Sequence, residues 1–97
     1  MQTTFTFRNM DTSDALKTHA LAKLDKLNKY LIKPIQAHVI FHVEKFNHIV
    51  EMTLTENGKQ HVSHEKSENM YTSIDKAVSK LERQLRKYKE RLKEHKP

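Results

Sequence analysis

From Asn69 onward the apolar residues repeat with the period of an α-helix. Met70, Ile74, Ala77, Val78, Leu81, Leu85, Tyr88 and Leu92 fall within about 100° of arc when successive residues are turned by ~100°. A stripe this long and narrow has to be buried against a second layer, and 97 residues suffice for one compact domain with a thin core. Asn69 is placed to cap the helix. Its length, ~35–39 Å at ~1.5 Å per residue, exceeds the ~23 Å reach of a seven-residue strand. Its end is therefore expected to overhang whatever sheet it covers.

The rest of the chain supplies that sheet. Residues 2–8 put Phe5 and Phe7 on one side and Thr4, Thr6 and Arg8 on the other, the alternation of a strand. Ser13 and Asp14 offer a cap and first-turn acid. Leu16, Ala20, Leu24, Leu27 and Leu31 then predict an amphipathic helix of about five turns, ended by Lys33-Pro34. Residues 35–44 alternate through Ile35, Ala37, Val39, Phe41 and Val43, and residues 48–56 through Val50, Met52 and Leu54. Asn57-Gly58 marks a hairpin, because both residues tolerate positive φ. Residues 60–66 form a fourth strand whose phase stays open: Val62 and His64 share one face, His61, Ser63 and Glu65 the other, and neither is clearly apolar. Phe46, between the second and third strands, is expected to pack locally.

The order β-α-β-β-β-α predicts an α+β two-layer sandwich of the kind seen in double-stranded-RNA-binding domains. A four-stranded mixed sheet carries both helices on one face, with a parallel first pair. The other face, rich in Thr, His and Glu, meets solvent. Glu44, Glu51 and Glu65 are read as part of that solvated face.

Charge is distributed unevenly. Residues 1–75 hold nine Lys/Arg and nine Asp/Glu; residues 76–97 hold nine against three, which is the whole excess of +6. Localised positive charge points to a polyanion. On the last helix Lys76, Lys80, Arg83, Lys87 and Arg91 form one stripe, flanked by Arg86 and Lys93; on the first, Lys23, Lys26, Lys29 and Lys33 form a second row. Exposed helix faces are commonly charged, but one sign over fifteen residues makes i,i+4 neighbours repel, and a second row is present. The two rows are expected to line a single phosphate-binding surface. Few aromatics and no paired stacking motif favour recognition of RNA shape over sequence.

Other chemistries are excluded or weak. No cysteine is present, which removes disulfides, thiolate catalysis and cysteine–zinc sites, and fits a reducing, cytoplasmic setting. No signal peptide or bilayer-length apolar run is seen. His38 and His42 sit ~13 Å apart on a strand, and no helical His-x-x-x-His pair exists, so no metal is expected. Glycine phosphate loops and nucleophile motifs are lacking. Neither a catalytic site nor a cofactor is expected.

The residues that carry a resemblance are Asn69-Met70-Tyr71-Thr72-Ser73-Ile74-Asp75, Lys80 to Leu85, Lys87 to Lys93, Ala22 to Leu27 with Tyr30, and Val43-Glu44-Lys45. Over the whole chain the sequence resembles the ribosome hibernation-promoting factor family, formerly called sigma-54 modulation proteins. It is most similar to the short form, a single domain over 1–97 without the dimerisation domain of long members or the tail of ribosome-associated inhibitor A. The resemblance implies a non-enzymatic, monomeric, stationary-phase and stress-response protein. It would bind rRNA in the mRNA and tRNA channel of the small ribosomal subunit, block translation and stabilise idle ribosomes. A separate ribosome modulation factor would be needed to pair them. By residue match, Lys23, Lys26, Lys80, Arg83, Lys87, Lys89 and Arg91 would contact rRNA, with Arg86 at a position where some members are uncharged. Two other readings compete: a protein-binding regulator that uses the open sheet face, and a generic double-stranded RNA binder.

Overall fold

The computed structural model describes residues 1–32 and 35–94, with side chains through Arg91 in the last helix. Its elements are β1 (Gln2–Arg8), α1 (Asp14–Asp25), a 3-10 turn (Lys26–Tyr30), β2 (Gln36–Glu44), β3 (Asn47–Glu56), β4 (Lys59–Ser67) and α2 (Met70–Glu94). The sheet runs β1-β2-β3-β4. β1 and β2 are parallel, with Phe5 opposite Val39 and Phe7 opposite Phe41; the other pairs are antiparallel. The predicted order and pairing are those observed.

Local signals account for most boundaries. Ser13 Oγ accepts from the Leu16 amide at 3.2 Å, and Asn69 Oδ1 accepts from the Tyr71 and Thr72 amides at 2.8 and 3.4 Å. These side chains satisfy donors that a helix start leaves free. Asn57 and Gly58 both take positive φ, 52° and 79°, closing the β3–β4 hairpin as expected.

One core lies between the sheet and both helices. Leu16, Ala20, Leu24 and Leu27 meet Met70, Ile74, Ala77, Leu81 and Leu85 above Val39, Phe41, Val50, Met52 and Leu54, all buried. Each fully buried leucine contributes about 1.5–3 kcal/mol. Phe5 and Phe7 stack against Phe41 at the margin.

Several expectations are corrected. The first helix does not run to Leu31: it ends at Asp25, whose carboxylate accepts from the Asn28 side chain at 2.7 Å. The next residues wind as a 3-10 turn closed by Leu31 N–H to Asn28 O. Asp and Asn offer such local bonds in competition with the α-helix. The expected stop at Lys33-Pro34, and Lys33 itself, lie outside the described residues. Phe46 does not pack locally; it is 86% exposed in a two-residue turn whose Lys45 has φ 55°. The phase of β4 is settled by register: His61 pairs with Leu54 and Ser63 with Met52, so these polar residues face the helices and Val62 faces solvent. Glu65, opposite Val50, also belongs to the helix side, not to the open face with Glu44 and Glu51. Three of the four strands are longer than seven residues, β2 and β4 with nine and β3 with ten, and Lys89 still reaches the end of β3. The overhang of α2 is therefore confined to its last described turn.

Candidate nucleic-acid interface

Successive turns of α2 divide its polar surface into two flanks. Asp75 faces α1: its Oδ1 accepts from His19 Nε2 at 2.8 Å and lies 3.8 Å from Lys23 Nζ. His19 also meets the edge of Tyr71 at 5.0 Å. The opposite flank faces β4, where Lys80 Nζ is 3.6 Å from Glu65 and Gln84 donates to Val62 O at 2.8 Å. The stripe Lys76, Lys80, Arg83, Lys87 and Arg91 covers about 80° of arc on the solvent and β4 side. All five residues are exposed.

The two basic rows, expected to line a single surface, come together only in part. Early truncation of α1 is the reason. Lys23 alone lies within α1, and it points to Asp75. Lys26 and Lys29 belong to the 3-10 turn, both exposed, with Lys29 over the Tyr30 ring at 5.2 Å. Lys29, Tyr30 and Ile32 share a depression with Arg86, Lys89 and Glu90. Positive charge thus encircles the C-terminal half of α2: Arg86 and Lys29 on one side, Arg83 outward, Lys87 and Arg91 on the other.

The predicted cations differ in how far they are already neutralised. Lys23, Lys80 and Lys89 each face a carboxylate: Asp75, Glu65 and Glu56. Lys26, Lys29, Lys76, Arg83, Arg86, Lys87 and Arg91 have no acid within ion-pair distance among the described residues. An unmatched surface cation retains its field for an incoming polyanion. Lys93 lies beyond the described side chains. Sequence reasoning missed Lys59, which joins Lys87 and Arg91 around a shallow depression. The signal was available in the topology: β4 and α2 are consecutive and antiparallel, so the first residue of one meets the last turns of the other.

Buried polar groups lie beneath this surface. Glu56 Oε2 accepts from the Ile32 amide at 3.0 Å and is 3.7 Å from Lys89 Nζ. His61 is buried and meets the Tyr88 ring edge-on at 5.3 Å. Burial lowers the His61 pKa below its ordinary value; Glu56 opposes that shift, while Lys59 and Lys89 add to it. On the open face His38 is held between Thr4 and Thr6 at 2.6 and 3.1 Å. That face also carries Ile40 and Ile49, both half-buried, and the exposed Val62. No group of three or more acids and histidines positioned for a metal, and no helix long and apolar enough to cross a membrane, is found among the described residues.

A family model described as Sigma 54 modulation protein / S30EA ribosomal protein matches residues 3–93. The chain belongs to this family. The ribosome hibernation promoting factor of Escherichia coli K12 is 37% identical over 95 residues, covering 98% of this chain and 100% of the relative. That of Azotobacter vinelandii is 34% identical, covering 94% and 85%. A ribosomal subunit interface protein from Coxiella burnetii superposes with a TM-score of 0.80 at 33% identity, covering 92% of this chain and 98% of the other. The N-terminal domain of Thermus thermophilus Protein Y shares the fold, with a TM-score of 0.84 at 24% identity and coverage of 91% and 99%. The S30EA family is one of ribosome-associated proteins, not of enzymes.

Proposed function

We propose that this chain is a ribosome hibernation factor of the cytoplasm. It grips small-subunit rRNA with the C-terminal half of α2 and the adjoining 3-10 turn. Occupying the channel meant for mRNA and tRNA, it blocks translation in stationary phase or stress and keeps ribosomes idle. Pairing of two such ribosomes would require a ribosome modulation factor acting on the same particle. The observation that carries this reading is the set of unmatched cations: Lys76, Arg83, Arg86, Lys87 and Arg91 on α2, with Lys26 and Lys29 on the 3-10 turn, where Lys29 shares a depression with Arg86. The names of the relatives support it. Lys23, Lys80 and Lys89 play a smaller part, because Asp75, Glu65 and Glu56 already hold them.

Binding of this kind releases counterions. Roughly six phosphate contacts cost ~10³-fold in affinity between 50 and 200 mM salt. The test is co-sedimentation with purified small subunits at low salt. The variant Arg83→Glu/Lys87→Glu, checked for an unchanged circular dichroism spectrum, is expected to lose binding. Retained binding by a folded double variant would remove these residues from the interface. A pull-down from nuclease-treated extract separates a second reading, in which Ile40, Ile49 and Val62 on the open sheet face bind a protein regulator: only that reading expects partners to survive removal of RNA.

A further inference from the structure

Three cations converge where the start of β4 meets the last turns of α2. Lys59, Lys87 and Arg91 line a shallow depression together with His61, Gln84 and Tyr88. All three cations are exposed, and none has an acid partner among the described residues. Three other cations that reach between elements are matched: Lys23 by Asp75, Lys80 by Glu65, Lys89 by Glu56. Like charges brought together from a strand and a helix repel until an anion lies between them.

The floor of the depression points the same way. His61 is 4% exposed, and its Nε2 is fully buried without a hydrogen-bond partner. A buried polar atom left unpaired is unfavourable, so such groups commonly mark a place for a ligand or an ordered water. Gln84 is already committed to Val62 O, and Glu56 beneath is held by Lys89 and the Ile32 amide. Neither competes for the anion.

We propose that Lys59, Lys87 and Arg91 grip one phosphodiester group of RNA at the β4 edge, over the imidazole of His61. A tetrahedral anion suits donors arriving from different directions, here a strand residue and two helix residues one turn apart. When the group is bound, a small shift of the Tyr88 ring that covers His61 admits it, directly or through one water, to Nε2, which gains the partner it lacks. This inference rests on the rRNA-binding reading and adds to it a strand residue, Lys59, and a buried floor.

Two measurements on the full chain test it. In the first, inorganic phosphate and diphosphate are titrated into nitrogen-15-labelled protein, and the His61 ring nitrogens are followed in long-range proton–nitrogen spectra. A saturable shift at His61 is expected, lost in Lys59→Gln and kept in Lys66→Gln. No shift, or the same shift in Lys59→Gln, overturns the site. In the second, affinity for purified small subunits is followed against salt. Lys59→Gln is expected to lower the slope of log affinity on log salt by about one, and affinity at 0.1 M salt by about 5–10-fold. An unchanged slope, with Arg83→Gln still lowering it, overturns the subsite and leaves the rRNA reading standing. Failure of the wild-type protein to bind subunits at low salt overturns the rRNA reading instead. A phosphate response at His61 would then assign the depression to free phosphorylated small molecules and overturn the phosphodiester assignment.

Discussion

Lys89 on α2 lies 3.7 Å from Glu56 at the end of β3, and Glu56 is 3% exposed. Among the described residues the only other partner of this buried carboxylate is the Ile32 amide, and its Oε1 has none. Removing the lysine leaves a buried charge with one hydrogen bond. Lys89→Ala is expected to destabilise the fold by about 1–3 kcal/mol, seen as a lower urea midpoint at unchanged m-value. Pairing Lys89→Met with Glu56→Gln should recover part of that loss. At equal folded fraction Lys89→Ala should weaken subunit binding less than Arg83→Ala. An equal or larger loss would make Lys89 a direct rRNA contact.

Leu81 shows how far the thin core can be disturbed. It is fully buried midway along α2, in one cluster with Leu24, Leu27 and Met52. Leu81→Ala removes three carbon atoms from a site whose neighbours belong to regular elements and can collapse only partly. The expected loss is about 2–5 kcal/mol, a large fraction of the stability of a small domain. Calorimetry should show a melting temperature lower by ten degrees or more. A shift of only two or three degrees would mean that the cavity is refilled.

The contrast between α2 and β4 explains what sequence alone could reveal. Along α2 the apolar residues repeat seven times without a polar interruption, so one helical phase is possible. In β4 the core-facing positions are His61 and Ser63, while the apolar Val62 faces solvent. Alternation there leaves the phase open, because Tyr88 rather than an aliphatic residue covers His61. The stop of α1 was hidden for a different reason. Leu27 keeps helical spacing from Leu24 and is buried, yet the Asp25–Asn28 side-chain bond tightens the chain into a 3-10 turn that still presents Leu27 inward. Periods of 3.6 and 3.0 residues cannot be told apart over so short a run. That small change placed Lys26 and Lys29 on the 3-10 turn, so the expected single basic surface forms only in part, where Lys29 meets Arg86 and Lys89. The cations themselves were evident from composition; which of them faced Glu56, Glu65 or Asp75 needed the packing.

Phe46 offers a control of opposite sign. Its ring is 86% exposed, so truncation removes little buried area. Phe46→Ser is expected to change stability by less than about 0.5 kcal/mol, measured by urea unfolding. A loss above 1 kcal/mol would show that the ring packs locally in solution. Lys45→Gly should be neutral or slightly stabilising, since φ 55° suits glycine better than lysine.

His61 makes stability depend on pH in a stated direction. Burial holds its folded pKa below the value of the unfolded chain, 6.5. Between that value and the lowered folded value, the unfolded chain binds the proton and the folded one does not. Stability is therefore complete above the unfolded pKa and falls as pH drops through this window. One such group can impose a slope of at most ~1.4 kcal/mol per pH unit. His61→Phe keeps an aromatic ring against Tyr88 and removes the proton site. Urea midpoints at pH 7.5 and pH 5.5 should fall less in the variant than in the wild type. The remaining six histidines are common to both proteins, so the difference between the two slopes isolates His61. Equal slopes would mean that the imidazole is free to take its proton where it stands.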